Sequence, residues 1–299
     1  MSLGYEQDLF ILAFDQRASF TASFFGLQGD PTPEETAKIV DAKRVIFEGA
    51  REASGQQTAG IGVLVDEQFG ADVAREAKAN GIILAMPVER SGQREFDFEY
   101  GADGYAAHVE AMDPDLVKPL ARYNPDGDRR MNARQALRLK TLSDWVHANG
   151  RKVLFELLVP AEPHQLEAVG GDAARYDTEL RPALVRTAVA ELQQAGVEPD
   201  LWKIEGLDTR EDCEALVAQC RIGGRDAVGC VVLGRGADDA SVDHWLQVAS
   251  GVPGFVGFAI GRSIWWEPLK AFVDGSKPRA DAAAEIAAKY RRFVKVYTG

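Results

Sequence analysis

The sequence predicts an α/β protein, a single (β/α)8 barrel spanning residues 1–299, and three observations carry that expectation. Short apolar runs alternate with longer helical patterns along the whole chain, eight such runs can be counted, and no Gly/Ser/Pro-rich linker divides them. A length of 299 residues would allow two domains, but barrels of this kind use about 250 residues as one. An open doubly wound sheet is the structural competitor. No Gly-x-Gly-x-x-Gly turn follows the first apolar run, which disfavours it.

The expected strands are Leu9–Phe14, Ile61–Val65, Ile82–Met86, Leu116–Ala121, Val153–Leu158, Asp200–Ile204, Val228–Leu233 and Phe255–Ile260. Thr32-Pro33-Glu34-Glu35 opens the first helix, with an N-cap, a proline at the first helical position and a glutamate at the third. Apolar Ile39, Val40, Ile46 and Phe47 follow. Another helix is expected from near Asn132, with Leu139, Leu142, Trp145 and Val146, stopping at Asn149-Gly150. A third spans about Thr178–Ala195 and ends at Gly196. The excess over a minimal barrel is assigned to the long first connection, an insertion at about Val88–Asp113, and a C-terminal helix.

Charge narrows the partners. Thirty-four basic and 46 acidic residues give a net charge of −12, which argues against a nucleic-acid surface and against docking on anionic membranes. A phosphorylated small molecule stays open, because a few local cations can oppose the global sign. Three cysteines (Cys213, Cys220, Cys230) without zinc or redox spacing read as buried thiols in a reducing compartment. No apolar run approaches the ~20 residues of a membrane span, and the N-terminus carries no signal-peptide pattern, so a cytoplasmic protein is expected.

In a barrel the chemistry sits where the strands end. Those ends are polar here: Asp15-Gln16-Arg17, Asp66-Glu67-Gln68, Glu89, Lys118 with Arg122, Glu156, Lys203 with Glu205, Gly234-Arg235-Gly236, and Gly261-Arg262. Alternation along Leu201-Trp202-Lys203-Ile204-Glu205 turns Trp202 outward toward the helices and Lys203 and Glu205 inward. It also turns Lys118 and Glu156 inward. Burial and a neighbouring cation would favour the neutral amine that a Schiff-base nucleophile needs, and Glu156 would serve as general acid/base. A buried ion-pair network is the bland alternative. Lys152, at the start of its strand, reads as structural.

Gly234-Arg235-Gly236 and Gly261-Arg262 occupy equivalent positions in consecutive units. Glycine admits a phosphate close to the backbone, and barrels place phosphate sites after the last two strands. His108, His147 and His244 fall in helical stretches and only His164 follows a strand closely, so no zinc cluster is expected. For Asp15, Asp66, Glu67 and Glu89, capping and salt-bridging stand beside a magnesium-holding role. The charged, aromatic segment Glu89–Tyr100 reads equally as a lid, a surface insertion or an oligomer contact.

Together these residues resemble a family. Ala13-Phe14-Asp15-Gln16-Arg17, the inward lysine of the fourth strand, Glu156, Trp202-Lys203-Ile204-Glu205 and the final Gly-Arg are similar to the class I tagatose-bisphosphate aldolases. Ser91-Gly92-Gln93, Arg122-Tyr123-Asn124-Pro125, Glu156-Leu157-Leu158-Val159-Pro160, Lys203-Ile204-Glu205-Gly206-Leu207, Leu233-Gly234-Arg235-Gly236 and Ile260-Gly261-Arg262 resemble more closely another domain. That is the aldolase-like domain often fused behind the sugar kinase of inositol catabolism, 5-dehydro-2-deoxygluconokinase. The resemblance implies a class I aldolase without cofactor or metal, cleaving 5-dehydro-2-deoxy-6-phosphogluconate to dihydroxyacetone phosphate and malonate semialdehyde. It implies Lys203 as the Schiff-base residue, with Lys118 and Glu156 assisting proton transfer. The kinase half is not in this chain.

On this reading Asp15, Gln16, Arg17, Arg122 and Glu205 bind substrate, with Arg17 or Arg122 holding a carboxylate or a second phosphate. Gly234, Arg235, Gly236, Gly261 and Arg262 hold the phosphate. The rivals are a tagatose- or fructose-bisphosphate-type aldolase, a phosphosugar isomerase or epimerase, and a non-catalytic phosphometabolite-binding module. A homo-oligomer is compatible with the aromatic C-terminus (Trp265, Trp266, Phe272, Tyr290, Phe293, Tyr297), which alternatively closes the barrel bottom.

Overall fold

The structure is a computed structural model that describes residues 2–55 and 60–299. Parallel strands close into a single (β/α)8 barrel: β1 (Leu9–Ala13), β2 (Ile61–Leu64), β3 (Ile83–Pro87), β4 (Leu116–Lys118), β5 (Leu120–Arg122), β6 (Lys152–Leu158), β7 (Leu201–Glu205), β8 (Gly229–Leu233) and β9 (Phe255–Ile260). The two short strands β4 and β5 share the fourth barrel position. Pro119 between them has no N–H to give the ladder, so the expected strand Leu116–Ala121 is broken in two. β4 pairs with β3 and with the lower part of β6, whereas β5 pairs with the upper part of β6.

Helices follow in chain order: α1 (Pro33–Ser54), α2 (Glu67–Ala79), α3 (Gly101–Met112), α4 (Arg129–Ala148), α5 (Pro163–Ala168), α6 (Ala173–Arg175), α7 (Arg181–Gln194), α8 (Arg210–Cys220), α9 (Asp239–Ala249), α10 (Arg262–Val273) and α11 (Arg279–Thr298). Thr32 and Glu35 form the expected capping box of α1. α4 starts three residues before Asn132 because Asp128 accepts from the amides of Arg130 and Met131. The helix expected over about Thr178–Ala195 is α7, entered through a π-helical turn, Tyr176–Leu180. The presumed insertion at Val88–Asp113 is a short flap followed by α3, the regular third barrel helix. Among the described residues no helix is long and apolar enough to cross a membrane.

Alternation sorts the strand side chains as expected. Trp202, Phe155, Val117 and Phe258 pack outward among the helices, while Leu9, Ile11, Leu116, Leu154, Leu201 and Val231 fill the lumen floor. At that floor Asp200 accepts from the amides of Gly4 and Val153 and meets His147 and Lys152, so Lys152 is a floor residue. The aromatic C-terminus does not plug the barrel bottom, and Trp266 and Phe272 remain partly exposed. Trp265, Tyr290 and Phe293 are fully buried on the outer wall near β1 and β9. Trp265 Nε1 donates to Ala13 O at 2.9 Å, and Tyr290 donates to Phe10 O.

Candidate active site

Above the apolar floor the lumen becomes ionic. Lys118, at the end of β4, is 1 % exposed and donates to Asp15 Oδ2 at 2.9 Å and Glu89 Oε1 at 2.8 Å. It also lies 2.8 Å from Glu156 Oε2. Lys203 on β7 is 2 % exposed and donates to the same Glu156 oxygen at 2.9 Å. The register explains this sharing, because Leu120, Glu156 and Lys203 are paired across β5, β6 and β7. One carboxylate oxygen thus bridges two buried lysine side chains.

Electrostatics follow from that packing. Burial pushes Asp15 up, but Lys118, Lys203 and Arg17 outweigh it and hold the carboxyl at about 2. Burial also opposes ionisation of Glu156, and Lys118 and Lys203 bring it below the ordinary carboxylate range. At Glu89 burial wins over Lys118 and Arg17, and its carboxyl is raised. The Lys118 ammonium is disfavoured by burial, yet Asp15, Glu156 and Glu89 raise it well above the ordinary lysine value. The expectation that crowding would neutralise both lysines is therefore corrected for Lys118. Three carboxylates surround it, so it is a fixed cation.

Arg17 and Arg122 behave differently from one another. Arg17 is buried and committed, giving Nη2 to Glu89 O at 2.8 Å and Nη1 to Glu99 Oε2 at 2.8 Å. Arg122 gives one hydrogen bond, from Nη1 to Gln93 O at 2.6 Å, and lines the cavity beside Lys203. Gln16 lines that cavity too. The flap Glu89–Tyr100 is packed down: Phe96 and Phe98 are buried, and Glu95 pairs with Arg134 and Arg138 of α4.

On the far side, a cavity of about 400 Å³ runs from Lys203 and Glu156 to Gly234, Gly236, Gly261 and Arg262. A Cβ at Gly261 would lie 2.1 Å from Ala13 O, so only glycine lets α10 start this close to β1. The first turn of α10 presents amides that helix geometry leaves unpaired. Arg262 Nη2 donates to Arg235 O at 2.9 Å and lies against Gly236, which has a φ of +75°. The Arg235 side chain points away from this cradle. It meets Asp177 Oδ2 at 2.7 Å and Glu205 Oε1 at 3.0 Å, with its backbone held at a φ of +54°. Glu205, raised by burial against the pull of Arg181 and Arg235, also accepts from Val159 N.

Of the acids considered for a metal, Asp15 and Glu89 meet on the Lys118 ammonium, and the other two lie elsewhere. Asp66 pairs with Lys43 outside the lumen and caps α2 through Phe69 N, and Glu67 meets His108. Among the described residues no group of three or more His, Cys, Asp or Glu is placed to hold a metal ion. His164 lies in the first turn of α5, which follows β6. Lys43 on α1 and Arg181 on α7 are buried cations that had not been singled out from the sequence. Arg181 holds the end of β7 through Glu205 O and Gly206 O. Lys43 stands between Ile39 and Ile46 on the apolar stripe of α1, and Arg181 stands between Leu180 and Pro182, which is the signal that betrays them.

Fold and site together define a (β/α)8-barrel protein with a buried lysine–carboxylate centre at the C-terminal ends of its strands. The particular chain belongs to a family described as uncharacterized protein conserved in bacteria (DUF2090), whose model matches residues 4–299. No curated protein sequence matches it. Among solved structures it is similar to fructose-bisphosphate aldolase from Plasmodium falciparum in complex with TRAP and a small-molecule inhibitor. That likeness has 15% identity and a TM-score of 0.68, covering 96% of this chain and 90% of that one. It is also similar to a Schiff-base-forming fructose-1,6-bisphosphate aldolase (14% identity, TM-score 0.60, 97% and 94% covered). A third is an archaeal fructose 1,6-bisphosphate aldolase (14% identity, TM-score 0.60, 98% and 94% covered). At such identities the likeness is one of fold.

Proposed function

We propose that this protein is a class I aldolase, a carbon–carbon lyase that forms a Schiff base on Lys203. The observation carrying this reading is the pair of contacts from Glu156 Oε2, 2.9 Å to Lys203 Nζ and 2.8 Å to Lys118 Nζ, at the wall of a cavity large enough for a phosphosugar. Glu156 takes a proton from Lys203, and the freed amine attacks the ketone carbon of the substrate. Glu156 returns that proton to the carbinolamine hydroxyl, so that water leaves, an iminium forms and Glu156 is again a carboxylate. Loss of the β-hydroxyl proton to Glu156, whose charge Lys118 stabilises, breaks the adjacent carbon–carbon bond. The electron pair moves into the iminium to give an enamine, which takes a proton at carbon and is hydrolysed.

The phosphate sits at Gly234, Gly236, Gly261, Arg262 and the first turn of α10. Arg122 holds the other end of the substrate bidentately. The substrate is a phosphorylated keto acid or ketose, and the family resemblance favours 5-dehydro-2-deoxy-6-phosphogluconate, giving dihydroxyacetone phosphate and malonate semialdehyde. The solved aldolases that share the fold support the same chemistry. Borohydride reduction in the presence of dihydroxyacetone phosphate tests it. A stable adduct on Lys203, absent in Lys203→Ala, is expected. An unlabelled Lys203 in the intact protein sinks the aldolase reading and leaves the isomerase or the binding module.

A further inference from the structure

Lys43 is the one lysine of α1 that is fully buried, and it faces the barrel, not solvent. Its Nζ donates to Phe14 O at 2.8 Å, to Gln16 O at 3.0 Å and to the Asp66 carboxylate, between the rings of Phe20 and Phe69. The two carbonyls flank Asp15. The β1 ladder ends at this point, its last hydrogen bond running from Phe14 N to Leu64 O. From there the sheet no longer sets the backbone that carries Asp15. A buried ion pair is a weak source of stability, since desolvating both charges consumes most of their attraction. What this pair does provide is a rigid anchor on both sides of one residue.

We propose that Lys43, fixed by Asp66, is a positioning residue that holds Asp15 against Lys118. The inference rests on the reading of the lysine–carboxylate centre as catalytic. The chain of contacts is short: Lys43 grips the carbonyls of Phe14 and Gln16, Asp15 Oδ2 meets Lys118, Lys118 meets Glu156, and Glu156 meets Lys203. Lys43 touches neither the cavity nor the reacting atoms. Its effect passes entirely through the aim of the Asp15 carboxylate, and sub-ångström placement of such groups weighs heavily on rate.

The test uses two variants of the whole chain. Lys43→Met removes the strut and leaves Asp66 unpaired. Lys43→Met with Asp66→Asn keeps the α2 cap and strands no charge. In the double variant the melting temperature is expected to return toward that of the parent, while kcat for cleavage stays about 10–100-fold down. KM should hold within about twofold, because no substrate contact is lost.

A second readout does not depend on turnover. The carboxyl carbon resonance of Asp15 should titrate about one pH unit or more higher in the double variant than in the parent. A double variant that regains both melting temperature and kcat, or an Asp15 titration that does not move, overturns the proposal. If the parent forms no borohydride adduct, the aldolase reading fails, and the Asp15 titration still decides what Lys43 does.

Discussion

Replacing Lys118 by methionine is the most informative perturbation of the ionic lumen. The side chain lies 2.8–2.9 Å from three carboxylates and is 1 % exposed, so water cannot take its place without rearrangement. Breaking a buried pair from one side costs about 3–5 kcal/mol. Asp15 accounts for part of this: Lys118, Lys203 and Arg17 together bring its carboxyl from 3.8 to about 2, which corresponds to about 2.5 kcal/mol at neutral pH, and Lys118 supplies the largest share. For a chain of this size the melting temperature should fall by about 10 °C. The sign of the pH dependence follows from linkage. A depressed carboxyl contributes stability above its unfolded value near pH 4 and loses it as pH falls toward 2. Lys118→Met has forfeited the Lys118 share of that contribution, so the gap between parent and variant is widest at pH 7 and narrows on acidification. Calorimetry at several pH values measures it. A drop of less than about 2 °C at pH 7, or a gap that widens as pH falls, would refute the reasoning.

Further outcomes follow from the same geometry. Glu156→Gln should lower kcat by about 10²–10⁴-fold in a cleavage assay, while a slow borohydride adduct still forms on Lys203. Gly261→Ala drives a methyl group into Ala13 O, so the start of α10 must shift. KM for phosphorylated substrates should rise about tenfold or more, with little change for an unphosphorylated ketone. Asp200→Ala strips the floor of its cap on Gly4 N, Val153 N and Lys152, costing about 1–3 kcal/mol per stranded buried partner in denaturant titration, with kcat unchanged below the transition.

Local periodicity made the barrel legible, since a two-residue alternation sends Trp202 into the helical shell and Lys203 into the lumen regardless of what surrounds them. Side-chain destinations set by distant loops were not legible. Arg17 is held by the flap through Glu89 O and Glu99, and Arg235 by Asp177 from the π-helical turn, partners 82 and 58 residues away in sequence. The broken fourth strand was written in Pro119, whose missing donor matters only once β3 and β6 are known to flank it. Lys43 was visible as a misfit. It lies four residues after Ile39 and three before Ile46, on the apolar stripe of α1, where a lysine has no solvent to reach.

That break at Pro119 gives the hoop of strands a nick in its rim. Below it, β4 is zipped to both neighbours, and above it β5 is zipped to β6 alone. The rim is closed instead by the flap, through Arg122 Nη1 on Gln93 O and Gln93 Nε2 on Leu120 O at 3.4 Å. The lower hoop is thus the keel of the molecule, and the upper fourth position is a trim tab. Changes in flap length or composition can re-shape the mouth beside Arg122 for a longer or shorter substrate, while the ladder that carries Glu156 and Lys203 keeps its register.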